Sequence, residues 1–151
     1  MKGASIITLM VFALGAIACS ESVEPSEQRG FIVKAGVMEP ANAGVDRLRE
    51  TQTVEMDPDR RPGWCFLVDP PNDEPYEVYS VHHLPEAPGN LSGDFENQQH
   101  STSGLKTATS RGDGIRPFCF DFHKGDPVGE YRVEVFVNGT QQADFRLQVV
   151  P

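Results

Sequence analysis

Apolar and polar residues alternate with a period of two in several short runs, the pattern of strands that bury one face. The clearest runs close the chain. Tyr131, Val133, Val135 and Val137 fall on one face, with Arg132 and Glu134 on the other. After Asn138-Gly139, Ala143, Phe145, Leu147 and Val149 share one face, while Asp144, Arg146 and Gln148 share the other. Asn-Gly is a strong two-residue hairpin signal because both positions accept positive φ, so this pattern predicts a hairpin over 131–149.

Upstream, Phe31, Val33, Ala35 and Val37 predict a first strand; Trp64, Phe66 and Val68 alternate with Cys65 and Leu67. Residues 76–84 form another run, and Phe118, Phe120 and Phe122 alternate with Cys119 and Asp121. Residues 105–109 make a weaker run. Residues 45–56 suit both periods, since Leu48, Val54 and Met56 alternate while Val45 and Leu48 also fit a helix starting at Asp46. The β-branched Thr51, Thr53 and Val54 favour a strand. Seven or eight short strands with Pro and Gly turns between them predict an all-β fold, an immunoglobulin-like antiparallel β-sandwich in one domain spanning 30–151. Arg111-Gly112-Asp113 reads as a turn built on Gly112 and Gly114.

Residues 85–103 show no periodicity and read as one long loop, a length that in compact domains is usually functional or mobile. Its Pro85, Asn90, Phe95 and His100 are candidate binding residues. An exposed strand edge is the other candidate contact surface, because sandwiches recognise partners through loops and by strand addition.

The chain opens differently. Lys2 precedes a mostly apolar run from Ala4 to Ala18, 15 residues long, too short to span a bilayer and suited to a secretory signal. The close of that run, Leu14-Gly15-Ala16-Ile17-Ala18-Cys19, resembles the lipobox of bacterial lipoproteins. This resemblance implies a signal peptide over 1–18 and acylation of Cys19 with fatty chains such as palmitate. In a Gram-negative cell, Ser20 after the cysteine implies sorting to the outer membrane, facing the periplasm. Residues 19–29 are acidic and Pro-interrupted and read as a tether.

The 151 residues carry 13 Lys and Arg against 22 Asp and Glu, a net charge of -9. That balance argues against nucleic acid as a partner, since phosphate binding needs a basic face. Anionic lipid would repel the domain, so the lipid anchor has to supply the membrane attachment.

With Cys19 assigned to acylation, Cys65 and Cys119 remain as an even pair in an exported chain, where disulfides persist. Each sits on the strand face opposite an aromatic row, so a bridge would join neighbouring strands of one sheet. No Cys-x-x-Cys occurs, which argues against a thioredoxin-type site.

Cys119 and His123 have the Cys-x-x-x-His spacing of blue-copper proteins, with His82 or His83 as an upstream ligand. On a strand, however, four residues span about 13 Å, and no Met follows to cap the site. Adjacent His82 and His83 face opposite ways on a strand. A metal site using His82, His83, His123 or the acidic turns around Asp57, Asp59, Asp69, Asp73 and Glu74 is therefore the second functional reading. No nucleophile elbow, phosphate loop or zinc-protease motif occurs, and neither an enzyme activity nor a cofactor is expected.

The segment from Phe118 through Gly125-Asp126-Pro127-Val128-Gly129-Glu130-Tyr131 to Phe145 and Val150 resembles the ending of a bacterial family of exported domains of unknown function. Its members carry an aromatic strand, a Pro-x-Gly-x-Trp/Tyr step, a short hairpin and a closing Phe-x-Val. Residues 31–36, 51–56 and 63–68 follow in similar order. The resemblance covers about 31–150 and implies the fold and export, with no catalytic residues to carry over. The expectation is a lipid-anchored envelope protein that binds an envelope protein partner and performs no catalysis.

Overall fold

The computed structural model describes residues 30–40, 46–89, 95 and 104–151. The strands are β1 (Ile32–Glu39), β2 (Arg47–Glu50), β3 (Thr53–Glu55), β4 (Trp64–Asp69), β5 (Tyr76–His83), β6 (Leu105–Lys106), β7 (Ser110–Gly112), β8 (Arg116–Phe120), β9 (Gly129–Val137) and β10 (Thr140–Val150). One sheet runs β2-β1-β4-β8; the other runs β3-β10-β9-β5, with β6 and β7 both pairing with β5. The fold is all-β, two sheets enclosing one core.

The 131–149 hairpin forms as the alternation predicts. Asn138 and Gly139 have φ of 50° and 76°, the positive values a type I′ turn requires. Tyr131, Val133, Val135, Val137, Leu147 and Val149 point into the core. Where β9 begins, the Tyr131 hydroxyl donates to the Pro127 carbonyl at 2.7 Å. This is the tyrosine-corner arrangement of immunoglobulin-like sandwiches.

Residues 45–56 hold a correction. They supply two strands, not one, and those strands lie in different sheets. β2 pairs with β1, while β3 runs parallel to the end of β10, with Gln148 opposite Thr53, so the sandwich is not purely antiparallel. The chain changes sheet at Thr51 and Gln52. There the Thr51 hydroxyl takes the Thr53 N–H at 3.1 Å and donates back to the Thr53 carbonyl at 2.9 Å. Such local bonding competes with a continuous ladder.

A second correction falls on Arg111-Gly112-Asp113. Arg111 and Gly112 lie in β7, opposite Glu77 and Tyr76, and the turn sits further on at Gly114, whose φ is +59°. Gly112 is needed for space: a Cβ there would lie 2.2 Å from the Tyr76 ring. That ring lies in the core, and its hydroxyl donates to the Gly114 carbonyl at 3.0 Å.

Candidate functional site

Along β5 the inward side chains are Tyr76, Val78, Ser80 and His82, all buried. Two polar residues on an otherwise apolar face need internal partners. Ser80 Oγ lies 2.8 Å from His82 Nε2, and the Thr107 hydroxyl accepts the Ser80 N–H at 2.9 Å. Burial, together with the charge of neighbouring His83, pushes the His82 pKa down to about 3. The imidazole is therefore a neutral part of the core at ordinary pH.

An aromatic cluster surrounds it. The Phe120 ring stacks on Trp64 at 4.7 Å and meets His82 edge-on at 4.7 Å. The Phe95 ring lies 5.1 Å from that of His82 and 6.5 Å from that of Phe120, and its backbone forms a bridge with Thr107. Of the four candidate loop residues, Phe95 is thus pinned to the sandwich in the middle of the long connection. Pro85 is exposed, where the connection leaves β5 and crosses Gly129. Just beyond, Gly89 N–H reaches the Gly125 carbonyl at 2.9 Å. Asn90 and His100 lie outside the described residues, as does Cys19.

Beside this cluster the sandwich is open between β8 and the β5–β7 edge. The opening is a cleft of about 250 Å³ whose lining includes Phe66, Val78, Phe118 and Phe120 together with Ser80, Thr107 and Ser110. The composition suits a small, mostly apolar group or an inserted side chain. Sequence reading passed over Ser80 and Thr107. The usable signal was the polar break in the inward phase of 76–82.

Cys65 and Cys119 face each other on β4 and β8 and are joined by a disulfide. The bridge links neighbouring strands of one sheet, as the aromatic alternation predicts, with Cys65 fully buried and Cys119 exposed.

The three candidate metal histidines point in different directions. His82 lies in the core, and His83, on the other face of β5, pairs with Glu134 at 2.8 Å. His123 sits in the turn after β8, where Asp126 accepts its backbone N–H at 2.7 Å. Burial raises the pKa of that carboxyl against the lowering effect of the His123 hydrogen bond. The acidic turns bond internally, Asp57 to the Asp59 N–H and Asn72 to the Glu74 N–H. Among the described residues, no three His, Cys, Asp or Glu side chains come together as a metal would require.

The model of a family described as the PM0630 beta sandwich domain matches residues 33–150. Among solved structures, an immunoglobulin-like protein from Pseudomonas aeruginosa is similar with a TM-score of 0.46 and 14% identity, over 82% of this chain and 99% of that one. The alkylpurine DNA glycosylase AlkC of Pseudomonas fluorescens, bound to DNA containing an abasic site analogue, has a TM-score of 0.32 and 11% identity. That match covers 79% of this chain and 30% of the glycosylase. No curated protein matches the sequence.

Proposed function

Since the chain belongs to the PM0630 beta sandwich domain family, we propose that it is a lipid-anchored envelope module that binds a partner without catalysis. The observation that carries this reading is the distribution of its three cysteines. Two of them bond within the sandwich, as exported domains do, which leaves Cys19, in its lipobox-like segment, for acylation. Residues 20–29 would hold the domain away from the bilayer. The binding surface is the 85–103 connection, clipped at Phe95 to the Trp64–His82–Phe120 cluster beside the cleft.

A rigid frame presenting a loop is the usual way a sandwich recognises a partner. Cross-linking intact envelopes tests this. A chain lacking residues 97–102 keeps Phe95 and should retain its fold and anchor while losing the adduct that the complete chain forms. An identical adduct from both chains would remove the loop from the proposal.

A further inference from the structure

The two outer faces of the sandwich differ in character. On the sheet that holds β9 and β10, the outward positions carry Glu130, Arg132, Glu134, Asp144 and Arg146, tied together in ion pairs. On the sheet of β2, β1, β4 and β8, Val33, Phe66 and Phe118 belong to the core, so the alternate positions face out. There β1 presents Ile32 and Met38, β4 presents Leu67, and β8 presents Pro117 beside the Cys65–Cys119 bridge. Among the described residues, the charges at the outward positions of these four strands are Lys34, Glu50 and Asp69, and Lys34 pairs with Glu50.

This apolar face is most exposed at one end. Ile32, which opens β1, is 38% exposed, and Ile115, at the bend leading into β8, is 64% exposed. Ile32 stands opposite Asp69, and Arg116 stands opposite Val68, so the two isoleucines flank the end of β4. It is also the end at which the chain enters the sandwich, where the Phe31 ring meets that of Tyr76. Trp64 and His82 meet at the other end, where the 85–103 connection leaves β5 and returns at Leu105, opposite His82.

We propose that this corner, formed by Ile32, Leu67, Ile115 and Pro117, seats on the surface of the bilayer that holds the chain. The inference rests on acylation of Cys19, the reading put forward above. The stretch 20–29 then separates the lipid from Gly30 by at most about 35 Å, and it joins the domain beside Ile32. A tether of that reach holds the lipid surface at high effective concentration. Exposed apolar side chains gathered at one patch mark a contact surface, and an acyl anchor gains stability from a second point of attachment. Seating by the opposite face would strip water from its ion-paired charges, a larger cost than burying isoleucine. The acidic domain is repelled by anionic lipid, so the contact depends on the tether. Its consequence is an orientation: the far end, with the 85–103 connection, points away from the membrane.

Quenching by nitroxide-bearing lipid tests the seating. The full chain, purified from Gram-negative membranes, is reconstituted into phosphatidylcholine vesicles with an environment-sensitive dye on Ile32→Cys or on Gln141→Cys, an exposed position of the other sheet near the same end. The dye at 32 should be quenched and blue-shifted, and the dye at 141 should not. In the Ile32→Cys background, Ile115→Asp should lower the quenching by about fivefold while the chain still floats with the vesicles and keeps its Tm. Equal quenching at both positions overturns the proposal, and so does quenching at 32 that Ile115→Asp leaves unchanged, which would reflect the nearness of the tether alone. A chain that floats with neither dye quenched keeps its anchor and loses the seating. A chain that does not float loses both.

Discussion

Ser80 and His82 stand two residues apart on the inward side of β5, and their side chains share a hydrogen bond of 2.8 Å inside the sandwich. This pair joins the core to the long connection, because Phe95 packs on the same imidazole. It also makes the fold sensitive to acid.

The His82 pKa falls to about 3 in the folded chain, against about 6.5 when unfolded. Above pH 6.5 neither state holds the proton and no penalty arises. Below it the unfolded state binds a proton that the folded state refuses, so stability drops as pH falls towards 3, by about 1.4 kcal/mol per pH unit. Carboxylates titrate over part of the same window, and a comparison with His82→Gln cancels them. In urea titrations at pH 6 and pH 4, the unsubstituted chain should lose about 2–3 kcal/mol more than the variant. Equal losses would mean that His82 is accessible to protons in the folded state.

The Cys65–Cys119 bridge closes a loop with a sequence separation of 54. The chain-entropy model assigns such a loop about 4 kcal/mol. Denaturant midpoints of the Cys65→Ser, Cys119→Ser double variant should reflect a loss of that order. Reductant should destabilise the unsubstituted chain to a similar degree and leave the double variant unchanged.

Gly112→Ala should be among the most damaging small substitutions. The added carbon would sit 2.2 Å from the Tyr76 ring, which is held in the core by its bond to Gly114. Overpacking of this kind costs about 1–3 kcal/mol, read as a lower Tm. Pairing the substitution with Tyr76→Leu should recover part of the loss if the ring is the obstacle. Ala at the neighbouring exposed Arg111 should change Tm little.

Gly112 also shows where sequence reading reaches its limit. Arg-Gly-Asp followed directly by Gly114 has the local chemistry of a turn, and only the distant Tyr76 ring explains a glycine inside a strand. The 131–149 hairpin was legible because its determinants are local, an Asn-Gly turn flanked by strict alternation. The same-sheet disulfide was legible for a related reason: each cysteine lies on the strand face opposite an aromatic row. The switch at Thr51–Gln52 was not, since alternation cannot say which sheet a strand joins. Ser80 was overlooked as well. A lone hydroxyl on a strand says little until the depth of its face is known, and the histidine beside it drew a metal reading because adjacent imidazoles carry no sign of which one the core takes.

Metabolic labelling with an alkyne analogue of palmitate in a Gram-negative host tests whether the module is anchored. Label is expected on the unsubstituted chain, in the membrane fraction, and none on Cys19→Ala. Label on neither chain, or equally on both, would contradict it.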